Sequence, residues 1–364
     1  MRTGIKKYLL ILLLAGTILA EEPIQGPQQM PDITIDAATR AEVIEGIVKA
    51  LNDTYVYPEV ATKMEQALRK HQQQKEYDSI TSGRQFARTL TTHLQEVSHD
   101  KHIAIGVYGR RLPPELAEGL AQQQNAMLAR TNFGFERVER LAGNIGYLEL
   151  KTFAPVSLMG DTAATAMNFL SNADALIIDL RQNNGGESAA VALITSYLFG
   201  PQPIHLNDIY WRPTNETHQW WTLPYVPGKR LTDKDVYLLT SHNTFSAAEE
   251  FAYNLKNLKR AVIVGETTGG GAHPISERHI NDHFSVFVPA GRAINPITKT
   301  NWEGTGVEPD VKVPAEQALK TAHLMSLEKL ESKLKPTDHP MFKSEVTNAI
   351  QKLKKELAET QEKH

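Results

Sequence analysis

Ser246 stands at the head of a helical pattern, in Thr244-Phe245-Ser246-Ala247-Ala248-Glu249-Glu250, which a polar turn, Thr240-Ser241-His242-Asn243, separates from the apolar run Val236-Tyr237-Leu238-Leu239. A hydroxyl at a helix entrance is open to solvent, and the next amide, that of Ala247, has no acceptor within the helix. Such a pair could attack a carbonyl and then hold the oxyanion that forms. The same residues also spell a capping box, with the serine capping the helix and Glu249 reaching back. A second strand-turn-helix runs Asp179-Leu180-Arg181-Gln182-Asn183-Asn184-Gly185-Gly186-Glu187-Ser188, between Leu176-Ile177-Ile178 and the helical pattern Ala189 to Leu198. Gly185 and Gly186 leave backbone N–H groups uncovered at a helix N-terminus, where an anion or a developing oxyanion is favoured. A tight turn that needs glycine for positive φ would look the same. No Gly-Lys-Ser/Thr follows, so this is not a nucleotide phosphate loop.

A serine hydroxyl is protonated at neutral pH and needs a base within reach. The chain has 13 histidines that could serve, among them His99 and His102 in the polar turn Glu96-Val97-Ser98-His99-Asp100-Lys101-His102-Ile103. A Ser–His pair also requires a carboxylate to orient the imidazole; Glu303, Glu308 and Asp310 lie in the glycine-containing turn Trp302-Glu303-Gly304-Thr305-Gly306-Val307-Glu308-Pro309-Asp310, where a carboxylate can equally be an ordinary turn residue. His279, Asp282 and His283 invite a metal reading, as does the His99/His102 pair. The chain has no His-Glu-x-x-His, and spacing by four in a strand-turn-strand does not bring two histidines to one face, so no metal or other cofactor is expected.

The elements that must position these residues are legible as changes of period. From Ile35 to about Thr131 the apolar spacing is helical, as in Ala41 to Leu51 and Phe86 to Val97. Pro113-Pro114 opens a Gln-rich helix, and a boundary falls near residue 135. Short apolar strands follow at Asn144–Leu150, Ala175–Leu180, Val236–Thr240, Ala261–Gly265 and Phe284–Pro289, with helices predicted at Leu158–Leu170 and Ala247–Leu258. Strands spaced by helices imply crossovers and a largely parallel sheet. An insertion between Pro201 and Lys229 carries Trp211, Trp220, Trp221 and Tyr225, suited either to covering a cleft or to anchoring an ordinary loop. From Ala315 the chain is helical and rich in Lys and Glu.

Composition narrows the class of function. The 364 residues contain no cysteine, which excludes disulfides, thiolate metal sites and a cysteine nucleophile. Charge is nearly balanced, −3 at pH 7, so no nucleic-acid partner is expected. Arg2, Lys6 and Lys7 precede an apolar run from Tyr8 to Ala20 and then Glu21-Glu22-Pro23, which reads as a secretory signal cut near Ala20. A run of that length falls short of the roughly 20 residues that span a bilayer. A periplasmic or secreted protein with no stable membrane span is expected, divided into a signal at 1–20, a helical N-terminal part at 21–134, a core at 135–314 and a charged helical tail at 315–364.

Asp-Leu-Arg-x-Asn-x-Gly-Gly, then Ser-Ala-Ala-Glu-Glu, then Gly265-Glu266-Thr267-Thr268-Gly269-Gly270-Gly271 resembles the tail-specific, or C-terminal-processing, serine proteases. The nearer likeness is to the branch with tricorn protease and the interphotoreceptor retinoid-binding protein repeats, over roughly Gly143 to Val313. The resemblance implies an α/β fold with a crotonase-like core, its mixed sheet largely parallel, preceded by a helical N-terminal subdomain. It implies Ser246 as nucleophile, and oxyanion donors at Gly185 or Gly186 and at Ala247. Where the bacterial processing proteases carry a lysine, this chain has Thr268-Gly269-Gly270-Gly271, so a Ser–Lys dyad is not expected. The tricorn-like pattern instead implies His102 as base, at its Asp-x-His position, and Glu303 as the third member. About 40 residues between His102 and Gly143 leave no room for a PDZ module. The expected activity is a serine endopeptidase acting on polypeptides, with an inactive binder of apolar ligands on the same fold as the alternative.

Overall fold

The structure, a computed structural model, describes residues 32–108 and 114–361. The expected signal at 1–20 lies outside the described residues. Helices α1 (Ala37–Thr54), α2 (Pro58–Gln73) and α3 (Gly83–Ser98) lead to strand β1 (Ala104–Val107). Each helix starts where the sequence supplies a stop for the preceding chain. The Asp36 carboxylate accepts the Thr39 N–H before α1, Pro58 takes the first position of α2, and the Ser82 hydroxyl accepts the Gln85 N–H before α3. Val43, Ile47 and Leu51 of α1, Met64 and Leu68 of α2, and Phe86 and Leu90 of α3 close one apolar core.

Helix α4 (Pro114–Arg130) then joins this part to the second half: β2 (Phe135–Leu141), β3 (Ile145–Leu150), α5 (Val156–Leu170), β4 (Ala175–Asp179), α6 (Ser188–Ser196), β5 (His205–Trp211), β6 (Glu216–Trp221), β7 (Asp235–Thr240), α7 (Ala247–Asn257), β8 (Val262–Gly265), β9 (Ile275–His279), β10 (Phe284–Pro289), β11 (Gly291–Ile294), β12 (Val311–Lys312), α8 (Ala315–Glu331) and α9 (Pro340–Gln361). Six strands form the main sheet in the order β12-β8-β7-β4-β3-β2, all pairs parallel except β2 with β3. The fold is therefore α/β with a mixed, largely parallel sheet behind a helical N-terminal part. Between β1 and β2 the described residues form α4 and a short turn rather than a separate module.

Both faces of the sheet are covered, which explains why its strands are nearly continuous apolar runs. Leu148, Leu176, Ile178 and Leu238 point toward α5, α6 and α7, whereas Tyr147, Ile177, Tyr237 and Leu239 point toward α8 and α9. Each such fully buried aliphatic contributes about 1.5–3 kcal/mol, so a one-residue slip of any central strand would exchange the two faces and is strongly disfavoured. The charged C-terminal segment is thus a third layer rather than a tail: Ala318, Ala322, Leu327, Val346 and Ile350 are all buried against the sheet.

The strand at Phe284–Pro289 departs from the expected place. As β10 it pairs with β1 and β9, not with the main sheet. The reason is its alternation: Phe284, Val286 and Val288 are fully buried on the α1–α3 core. The insertion at 201–229 is a hairpin, β5 with β6, extended by β11.

Candidate active site

The two strand-turn-helix segments after β4 and β7 lie side by side at the C-terminal ends of adjacent parallel strands, the usual position for ligand and catalytic sites in open α/β sheets. Asn183 fastens one to the other. Fully buried, it donates from Nδ2 to the Leu150 carbonyl (2.9 Å), accepts the Gly185 N–H at Oδ1 (2.8 Å), and accepts the Phe245 N–H at its backbone carbonyl (3.0 Å). The Asp-Leu-Arg part of the motif has a structural task. Arg181 is bound to Asp179 and donates to the Ala315 carbonyl at the start of α8 (2.6 Å), while Tyr147 donates to Asp179 (2.8 Å).

Ser246 sits at the entrance of α7 with φ 56° and ψ −122°, a region that non-glycine residues rarely occupy. Such strain costs about 1–3 kcal/mol and persists only where the surroundings enforce it, typically at functional turns. Here Glu249 enforces it. Its carboxylate accepts the Ser246 N–H (2.9 Å), the Thr268 hydroxyl (2.5 Å), and the N–H groups of Gly270 (2.6 Å) and Gly271 (2.8 Å). Glu249 therefore reaches back as a capping-box glutamate does, and in addition ties the glycine-rich segment to the serine turn. The Ser246 hydroxyl lies 3.1 Å from Nε2 of His102.

His102 follows α3 and precedes β1, in a turn where its N–H donates to Asp100 Oδ1 (3.0 Å). Its ring packs against Phe245, centroids 4.6 Å apart, and against Gly271, where an added Cβ would fall 2.6 Å from Cε1. Burial depresses the imidazole pKa below its ordinary value, Asp100 opposes the drop, and His273 adds to it. The ring is thus kept neutral, the form able to accept a proton. His99, the other candidate base, is exposed and caps α3 in a left-handed conformation at φ 55°.

The oxyanion candidates separate. The Gly185 N–H is already committed to Asn183, and this glycine instead permits close packing: an added Cβ would fall 2.8 Å from that of Ser246. Gly186, at φ 142° and facing Phe153, is exposed, and its N–H has no acceptor among the described bonds. The Ala247 N–H, first of α7, is likewise without one.

Glu303 does not meet His102. It accepts the Ala272 N–H (2.5 Å) and faces Nδ1 of His273 at 3.4 Å, leaving Oε1 buried without a partner. His273 Nδ1 bonds Asp100 Oδ2 at 2.7 Å, and Tyr55 donates to the same oxygen (3.3 Å). His102 Nδ1 is also buried and unpartnered. A layer of Asp100, His273 and Glu303 thus lies behind the histidine. Burial and the Asp100 charge push the Glu303 carboxyl up to about 7, while His273 pulls it back. Sequence spacing could not have found His273, about 170 residues from Asp100 and placed by the Gly-rich turn.

Among the described residues two groups bring ligand atoms within 4.8 Å of one another, Asp100-His273-Glu303 and His71-Glu76-His93. Either could hold a cation. Neither contains His99, His279, Asp282 or His283, the histidines and carboxylate that the sequence offered.

Residues 144–313 match the family described as peptidase family S41, and residues 33–132 match the N-terminal domain of that family in eukaryotic IRBP. Together these two matches take in the helical part and, apart from β2, the main sheet with its serine turn. The chain belongs to peptidase family S41. It is 26% identical over 202 residues to carboxyl-terminal-processing peptidase 1, chloroplastic, of Arabidopsis thaliana, covering 55% of this chain and 40% of that protein. It is 26% identical over 153 residues to the carboxyl-terminal-processing protease of Synechocystis sp., covering 42% and 34%. The chain therefore spans two fifths or less of the length of these relatives. A putative peptidase from Parabacteroides merdae shares the fold with a TM-score of 0.53 at 18% identity, over 76% of this chain and 90% of that one.

Proposed function

We propose that the chain is a serine endopeptidase. The observation that carries this is the 3.1 Å approach of the strained Ser246 hydroxyl to the His102 imidazole, whose burial favours its neutral form, next to two open amides. In this reading His102 Nε2 takes the Ser246 proton as Oγ attacks the scissile carbonyl, and the N–H groups of Gly186 and Ala247 hold the resulting oxyanion. The imidazolium then protonates the leaving amine, and water, deprotonated by the same nitrogen, releases the acyl group. Glu303 serves as the acid of the site at one remove, holding His273 rather than His102. The Asp100 carboxylate, which favours the charged imidazole, supplies the stabilisation normally expected of a directly bonded third residue.

An apolar-ligand binder is less well supported. The cavity beside Ser246 is about 60 Å³, against roughly 300–1,000 Å³ for typical small-molecule sites. Replacing Ser246 with alanine should abolish both labelling by a fluorophosphonate probe and hydrolysis of casein; unchanged hydrolysis would sink the assignment. Export rests on the signal-like residues 1–20, and an N-terminal residue near Glu21 in protein recovered outside the cytoplasm would support it. Among the described residues no helix is long and apolar enough to cross a membrane.

A further inference from the structure

The cavity beside Ser246 is built unlike an ordinary apolar pocket. Gly186, Ser246 and Ala247 line it together with Ile209, Ala272, Pro274, Ala293 and Trp302. Glu250, on its lining, is 4% exposed. Ser188 donates to one of its oxygens, Oε2 (2.7 Å), but the other, Oε1, is buried with no partner. Asn207, fully buried and also lining the cavity, has no partner in full bonding geometry for either polar atom of its amide, although it lies close enough to Glu250 to draw that carboxyl's pKa down. Unpartnered buried polar groups are disfavoured by about 1–3 kcal/mol each, more when charged. Two adjacent residues in that condition, beside a candidate nucleophile, point to a substrate group that completes them.

The dimensions restrict that group. Glu250 lies one helical turn beyond Ser246, about 5–6 Å away between Cβ atoms. At the ~10–15 Å³ that each water-sized group needs, the cavity of about 60 Å³ takes roughly four to six of them. A lysine side chain, four methylenes and an ammonium, has that many groups and a donor only at its end. The forked guanidinium of arginine is longer and broader, and a short polar side chain leaves Oε1 unreached.

We propose that this cavity is the pocket for the residue preceding the scissile bond and that it selects lysine, whose ammonium bonds Oε1 of Glu250 and Oδ1 of Asn207. The proposal rests on the peptidase reading above. Apolar walls take the methylene stem, and the ammonium meets the otherwise unpaired carboxylate. Burial pushes the Glu250 carboxyl up to about 7 against the opposing pull of Ser188 and Asn207, and an ammonium at bonding distance would hold it ionised.

The test is a set of peptidyl coumarylamides that differ only in the residue before the cleaved bond: lysine, norleucine, glutamine, arginine and phenylalanine. Lysine should exceed norleucine in kcat/KM by about tenfold to hundredfold, the weight of one charge-assisted hydrogen bond. Glu250→Gln should shrink that lysine-to-norleucine ratio by a similar factor. A wild-type ratio near one, or a preference for glutamine or phenylalanine, overturns the pocket. So does a ratio unchanged in a folded Glu250→Gln protein, and if that variant does not fold the wild-type ratio decides. Fluorophosphonate labelling of Ser246 separates the two readings. A protein that labels but ignores lysine refutes the pocket alone, whereas one that neither labels nor cleaves any substrate refutes the peptidase reading and the pocket with it.

Discussion

Gly271→Ala places a methyl group where the structure has the edge of an imidazole. The added carbon would fall 2.6 Å from His102 Cε1 and 2.3 Å from Phe245 Cζ, with nothing else changed, since alanine keeps the N–H that Glu249 accepts. Restoring an ordinary contact of about 3.4 Å requires the two rings to withdraw by roughly 0.8 Å and 1.1 Å respectively. The Ser246–His102 hydrogen bond, now 3.1 Å, would then open well beyond bonding distance, because hydrogen bonds weaken steeply outside about 3.2 Å. A misplacement near 1 Å costs about 100-fold in rate, or about 2.7 kcal/mol of transition-state stabilisation. The assay is kcat/KM on a fluorogenic peptide, alongside thermal unfolding to show that the variant is folded. The loss should appear mainly in kcat, and Phe245→Leu in the same chain should restore part of it by making room for the ring. A folded Gly271→Ala protein within threefold of the wild type would refute the idea that His102 must sit where it does.

Activity should fall on the acid side as His102 gains a proton, with the limb of kcat/KM lying below the ordinary imidazole value of about 6.5 because burial lowers the pKa. Asp100→Asn removes the group that opposes this and should move the limb lower still; an upward shift in the measured pH profile would contradict the geometry. Glu249→Ala should destabilise the fold by roughly 3–5 kcal/mol in urea unfolding, since three N–H groups and a hydroxyl lose their acceptor. Glu250 and Glu303, each raised to about 7 by burial, hold protons in the folded chain that the unfolded chain releases near 4.5. The folded state binds more protons in that interval, so stability should decline as pH rises from about 4.5 to 7, by up to ~3 kcal/mol from Glu250 alone. Glu250→Gln should flatten the decline, and a stability rising with pH over that interval would contradict this assignment of protons.

The centre of the main sheet was legible because β4, β7 and β8 each carry four consecutive apolar residues ending in a polar turn, with helical spacing between, whereas the edge strands β2, rich in Glu and Arg, and β12, two residues long, carry no such run and were not expected. The serine turn was legible for the same reason, since a capping-box serine must fall at a helix entrance. What failed at Phe284–Pro289 was partner choice. An alternating strand states that one face is buried but not against what, and its partners, α1–α3, lie more than 180 residues earlier. The layer behind His102 was illegible for a similar reason. Asp100 is two residues away and looked like part of a turn, whereas His273 arrives through a Gly-rich segment with no periodicity to fix where its ring goes. Glu303 was placed by resemblance, and the structure seats it against Ala272 and His273. The amphipathic C-terminal helices announced an apolar face, yet charge counting alone made a tail of what is the cover of the sheet.

That cover sets the order of events during biosynthesis. Ser246, His102 and Glu303 all precede α8 and α9 in the chain, but one whole side of the sheet that carries the serine turn stays bare until those two helices have emerged and docked. Arg181, in the turn after β4, also waits for α8, whose first carbonyl it binds. A chain extended only as far as β12 therefore carries Ser246, His102 and Glu303 on a sheet with one apolar face still open to water.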